Sequence, residues 1–176
     1  TAPPPWPTEG RAMDSSTTDT DGRVIIGGER ASLSLAIADE RGGVARGRPF
    51  QVDWLTGTAD LRLGEVQVSR PIAARPDDLM CFAAELDDCV TLLLGSASFA
   101  SLDDGLLIDI TMGTLGHALV SGIIRFEVGE AQGDLSFSYP SDQTYLAATL
   151  RQLLAVLDGH ATALDDAAPG PAGWLF

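Results

Sequence analysis

The chain has no lysine: all 11 of its basic residues are arginines, set against 25 acidic residues for a formal net charge of −14. A protein so charged repels nucleic acid and anionic membrane surfaces and draws in basic partners. Cysteine is also scarce. Cys81 and Cys89 stand eight apart in a predicted helix, so at a rise of ~1.5 Å per residue their Cα atoms lie about 12 Å apart. A disulfide needs less than about 7 Å, so none joins them. Two unpaired thiols, no apolar leader at the start and no apolar run of ~18 residues favour a soluble, cytoplasmic protein with no membrane partner. Histidine occurs twice, at His117 and His160, and no Cys and His spacing suits zinc. There is no Gly-x-Ser-x-Gly nucleophile motif. Asp103, Asp104 and Asp109 have the wrong offsets for a calcium-binding loop. No catalytic residue, cofactor or metal ligand is therefore expected.

What the chain does have is enough apolar residue for one core. At 176 residues and 45% hydrophobic composition, it should bury roughly 70% of its unfolded surface without metal or disulfide. Residues 1–22 hold four prolines and a Ser, Thr and Asp run, so a mobile extension is expected there. A single domain follows over 23–160, then a tail over 161–176 whose Trp174, Leu175 and Phe176 can dock on it. Because the chain opens on Thr1, its native start is expected upstream.

Hydrophobic periodicity predicts the elements. Strands are expected at 24–26, at 32–37 with Leu33, Leu35 and Ile37 inward, at 50–55, and at 59–69, with Leu61, Leu63, Val66 and Val68 inward and a bulge at Gly64. Residues 39–49 read as a loop rich in Gly and Arg, without the strand-to-helix setting of a phosphate-binding loop. After a link over 71–76, a helix over 77–95 stacks Leu79, Phe82, Leu86, Val90 and Leu93 on one stripe. Cys89 falls at the edge of that stripe and reads as a core residue. A short segment around Phe99, a turn at Asp103-Asp104-Gly105, and strands at 106–111 and 117–128 come next. A turn at 129–133 then leads into a strand with Leu135, Phe137 and Tyr139 on one face, ending at Pro140. There the period changes from two to 3.6, and Leu146, Leu150, Leu153 and Leu157 form the stripe of a second helix that Gly159 can end. Ser141 is the expected N-cap, with Asp142 favoured by the helix dipole. This joint should bring Phe137 and Leu150 into one core. Runs of strands separated by single helices, with no βαβ alternation, predict an α+β fold: a mainly antiparallel sheet of six or seven strands with two amphipathic helices. A β-sandwich with appended helices is the alternative.

Charge is not spread evenly. Residues 1–75 carry ten acids against nine arginines, whereas 76–176 carry fifteen acids against only Arg125 and Arg151. On the first helix, Asp77, Asp78, Cys81, Glu85 and Asp88 collect opposite the apolar stripe, and Asp103 and Asp104 follow in the next turn. Carboxylates around Cys81 disfavour its thiolate, so the thiol reads as unreactive.

Several segments together resemble a known family. They are Asp53-Trp54-Leu55 ahead of a strand, the helix LMCFAAELDDCVTLLLG, the strands GLLIDITMGTLGHALVSGIIRFEV, and Leu135-Ser136-Phe137 leading into Asp142-Gln143-Thr144-Tyr145-Leu146. The run from Trp54 to Leu157 resembles the WapI-type immunity proteins, small bacterial proteins that bind and neutralise a polymorphic toxin domain. The extension 1–22 and the loop 39–49 depart from that pattern. The resemblance implies a non-catalytic inhibitor of a cognate protein toxin. Many such toxins attack nucleic acid and are basic, so an acidic surface would steer them and occupy their phosphate-binding patch. Asp77, Asp78, Glu85, Asp88, Asp103 and Asp104 are the expected partner-binding residues. Asp142 and Gln143 are assigned to capping, and Trp54 to packing under the helices. The alternative function is an accessory or structural binding module of a larger bacterial assembly. An enzyme would need His117 or a carboxylate to meet a nucleophile in a cleft.

Overall fold

The computed structural model describes residues 22–38 and 54–167. The expectations for the extension up to residue 21, the loop 39–49, the strand start at 50–53 and the terminal Trp-Leu-Phe lie outside the described residues.

Among the described residues, strands β1 (Arg23–Gly27), β2 (Ala31–Ala38), β3 (Leu55–Leu63) and β4 (Val66–Ala74) form one antiparallel sheet in chain order, followed by helix α1 (Pro76–Leu92). Strands β5 (Ser96–Ala100), β6 (Leu106–Met112), β7 (His117–Val128) and β8 (Ala131–Asp142) form a second, followed by helix α2 (Gln143–Ala167). The protein is thus α+β, with two four-stranded meanders and two helices in place of one larger sheet.

Each half has the same plan, and each helix crosses to the other half. Helix α1 packs along β5, α2 packs along β1, and the helices pack on each other. β1 and β5 are edge strands, whose outward amides would pair with another chain if left open. The two helices close them in equivalent ways. The Glu85 carboxylate of α1 accepts the Ser98 N–H of β5 at 2.8 Å, and the Gln152 side-chain oxygen of α2 accepts the Ile25 N–H of β1 at 2.7 Å. Both acceptors are tenth in their helices and both donors third in their strands.

The sheets meet along two seams. At the first, Tyr139 Oη donates to Ile26 O at 2.8 Å, Ser141 Oγ to Gly27 O at 2.6 Å, and Thr149 Oγ1 to Ile25 O at 2.7 Å. Burial raises the Tyr139 pKa, so its hydroxyl stays a donor. At the second, the Leu102 N–H donates to Ala73 O at 2.8 Å, and the Arg70 guanidinium reaches Gly105 O at 3.2 Å, Arg125 O and the Asp103 carboxylate. Between the seams lies one core. It contains Leu33, Leu35, Phe82, Leu86, Ile108, Val120, Phe137, Leu146, Leu150 and Leu153, so Phe137 and Leu150 do belong together.

Several local readings need correction. Residues 59–69 are not one bulged strand but the tip of a hairpin: Leu63 pairs with Val66, and Gly64 at φ 58° makes the turn. The shift in parity comes from the chain reversing, and a glycine with positive φ opening a two-residue loop is a usual hairpin solution. β4 then runs through Pro71, which pairs with Thr58, and β8 runs through Pro140, which pairs with Leu119. Both strands are sheet edges, where a missing N–H breaks no ladder. The β7–β8 turn is also tighter than 129–133, since Val128 pairs with Ala131. Ser141 is committed to the seam, and the cap falls to Asp142, whose Oδ1 accepts the Thr144 and Tyr145 amides at 2.7 and 3.1 Å. α2 continues through Gly159 to Ala167. Trp54 is half exposed rather than packed under the helices; Leu55 takes the inward position of β3, which turns its neighbour outward.

Candidate partner interface

Helix α1 starts with Pro76 in its first turn, where a missing N–H is harmless, and has Asp77 and Asp78 beside the positive end of its dipole. Leu79, Phe82, Ala83, Leu86 and Cys89 turn inward, which leaves Asp77, Cys81, Glu85 and Asp88 exposed and Asp78 half-buried. Asp88 lies eleven residues beyond Asp77, about 16 Å along the helix axis.

Asp103 and Asp104 occupy the turn between β5 and β6. The Leu102 N–H to Ala73 O bond holds that turn beside the chain entering α1, so it neighbours the end of α1 that carries Asp77 and Asp78. The exposed carboxylates are not alike. Asp104 is exposed at φ 51°. Asp103 is a structural hub: partial burial works against its charge, but hydrogen bonds from the Ser101 hydroxyl at 2.6 Å and the Gly105 N–H at 3.3 Å, together with the Arg70 guanidinium, outweigh it and lower its pKa. Glu85 has its own structural task at the β5 edge.

A depressed folded pKa contributes stability that is present above the unfolded value and lost as pH falls through the folded one. Asp103→Asn is therefore expected to cost about 1 kcal/mol at neutral pH, discounted because the side chain is 44% exposed. The gap to wild type should close in acid, as pH falls below the ordinary carboxylate range and through the lowered Asp103 pKa. Urea midpoints at both pH values measure this, and an equal gap at the two would refute it.

His117 is exposed at the start of β7. Among the described residues, no three His, Cys, Asp or Glu side chains converge as metal ligands. A groove between α2 and β1, lined by Gly22, Arg23, Ala148, Arg151, Gln152, Ala155 and Val156, offers no carboxylate, imidazole or thiol. Cys89 is buried, and burial first, then the charges of Asp88 and Glu85, raises its thiol pKa. Cys81 is exposed and unpaired in any disulfide. No described helix is long and apolar enough to cross a membrane.

Sequence reasoning missed one group. Leu93, expected in the buried stripe, is 41% exposed with φ 55° and ψ 32°, and Leu92 and Leu94 are exposed with it. Three consecutive leucines cannot share one helical face, and that run was the available signal.

Comparison with known proteins adds the following. The model of a family described as "Immunity protein WapI-like family" matches residues 24–159. No curated protein matches. A solved structure titled "Structure of the plant transcriptional regulator PBF-2" is similar with a TM-score of 0.41 at 12% identity, over 84% of this chain and 86% of that one.

Proposed function

Because the chain belongs to the WapI-like immunity protein family, we propose that it binds and neutralises one cognate, basic toxin domain through the acidic surface of α1 and the neighbouring β5–β6 turn. The observation that carries this reading is the helix face itself. Asp77, Asp78, Glu85 and Asp88 lie along α1 with no basic residue in its last turn. Of the two arginines after residue 75, Arg125 belongs to β7, where its side chain meets Asp134 at 3.7 Å, and Arg151 belongs to α2. Apart from Arg75 at its N-cap, α1 carries no basic residue, so its exposed face is predominantly acidic, which steers a basic partner and holds it off nucleic acid. Action is by binding, without catalysis or cofactor, and in the cytoplasm.

The six acids divide by task. Asp77, Asp78, Asp88 and Asp104 act through charge, while Glu85 and Asp103 contribute charge and also hold the fold. The pseudo-equivalent of Glu85 is a neutral glutamine, Gln152, doing the same edge-closing work.

Co-expression of this chain with candidate toxin domains, scored by rescue of host growth, tests the function. Stopped-flow association with the rescued toxin domain tests the surface. Replacing Asp77, Asp78 and Asp88 together by lysine should slow association roughly tenfold or more at low salt and flatten its salt dependence. Glu85→Gln, which can keep the bond to Ser98, should leave stability nearly unchanged and flatten the salt slope only by the share of one charge. An unaltered rate in the triple variant would remove the α1 carboxylates from the encounter with the partner.

A further inference from the structure

Four exposed leucines gather where both helices and a strand connection meet. Leu92, Leu93 and Leu94 end α1, with exposures of 56%, 41% and 61%. Leu115, in the short 3-10 turn Thr114–Gly116 before β7, is 95% exposed. Three contacts bring these segments to one corner. Gln143, the first residue of α2, donates from Nε2 to Val90 O at 3.1 Å. A Cβ placed on Gly116 would lie 3.7 Å from the Cβ of that same Gln143. The Met112 N–H donates to Gly95 O at 3.0 Å, closing the connection between α1 and β5 onto the end of β6. Leu119, 49% exposed, pairs with Thr111, one register step beyond the Met112–Ala118 pair, and extends the apolar surface onto the sheet.

Two of these leucines sit in backbone conformations suited to glycine. Leu93 has φ 55° and Leu115 φ 60°, a region that bulky L-residues enter only at a cost. Glycine is the ordinary occupant at a helix C-terminus of this kind. Here the strained positions carry large apolar side chains held in water, so neither local propensity nor the core accounts for them.

Charge identifies the occupant. Leu92 follows Asp88 by four residues and Asp88 follows Glu85 by three, so acid and leucine share one line along α1. The helix also ends there with the negative end of its dipole and no basic side chain. A second copy of this chain, itself at −14, would bring like charges together. The C-terminal end of the described chain is also remote, since α2 starts at this corner and Ala167 lies about 36 Å along its axis.

We propose that the corner formed by Leu92, Leu93, Leu94 and Leu115 is the apolar anchor of the toxin interface, receiving a protein surface with an apolar pocket rimmed by lysine or arginine. This rests on the immunity reading and locates its contact. Charge on α1 sets how fast the partner arrives, and the leucines set how long it stays, since buried apolar anchors dominate dissociation while rim charges govern encounter.

The test uses the toxin domain identified by growth rescue, purified in an inactive variant, against the full chain. Leu115→Asn and Leu93→Asn suit the strained backbone, because asparagine tolerates positive φ, so melting temperature should hold or rise. Each should raise the dissociation rate roughly tenfold or more, with the association rate and its salt slope near wild type. Asp88→Lys should show the reverse. Wild-type dissociation in both leucine variants, with rescue intact, would overturn the anchor and leave the immunity reading standing. Failure of wild type to rescue against any toxin domain would overturn the reading, and the anchor with it.

Discussion

Phe82→Ala is expected to lower unfolding free energy by about 3–5 kcal/mol, the usual range for emptying a buried aromatic site. Phe82 is wholly buried, and its ring centroid lies 5.8 Å from that of Phe99 with the planes tilted by 47°, an arrangement that contributes beyond area alone. The consequence reaches past one cavity. Phe82 holds α1 against β5, and α1 is what closes the β5 edge through Glu85. The equivalent position of α2 holds Thr149, which docks its helix on β1 by donating from Oγ1 to Ile25 O instead. Among the described residues, no aromatic pair joins α2 to β1 as Phe82 and Phe99 join α1 to β5. Since a domain of this size is stable by roughly 5–15 kcal/mol, the variant should be marginal and should expose the β5 amides to exchange early. Urea unfolding gives the magnitude and hydrogen exchange at Ser98 the location. A loss below about 1 kcal/mol would mean the site collapses around the smaller side chain.

Gly28→Ala is the second large effect, at about 2–4 kcal/mol from overpacking plus disrupted hydrogen bonds. A Cβ on Gly28 would stand 2.4 Å from Pro140 O and 3.1 Å from the Tyr139 ring. A backbone oxygen in β8 cannot swing aside as a long side chain can, so β1 and β8 must separate. Separation breaks the Tyr139 to Ile26 and Ser141 to Gly27 bonds and leaves buried groups unpaired. Gly64→Ala is the natural control. Nothing lies within 4 Å of its added Cβ, and only its φ of 58° opposes alanine, a cost of about 1–2 kcal/mol. If the two variants cost the same, the close approach at the seam is not what requires Gly28.

Much of the fold is legible because periodicity is a local property. Alternation along 32–37 and 106–111 gives strands whatever surrounds them, and Leu33, Leu35, Leu106, Ile108 and Ile110 are all buried. The 3.6-residue stripe places Leu79, Phe82 and Leu86 in the core, as it does Leu146, Leu150 and Leu153. Composition likewise determined the sign of the surface charge and placed most of it after residue 75. The acidic line along α1 was readable for the same reason.

What the chain alone could not decide is which groups would meet from a distance. Whether Pro140 ends β8 depends on whether that strand is an edge. Whether Ser141 caps α2 depends on whether a carbonyl from residue 27 lies closer than the amides of the helix. Glu85 looks identical to Asp88 on a helical wheel, yet one closes a strand edge from another sheet and the other stands exposed. The leucines at 92–94 and 115 carry no mark in the sequence of being neighbours, because two loops and a helix start must first converge. The sequence by itself determined the elements, their inward faces and the charge, each set by spacing over a few residues. Only the tertiary structure decided the seams, the edges and the exposed corner, since a hydrogen bond or close packing between distant segments exists only once the chain has brought them together.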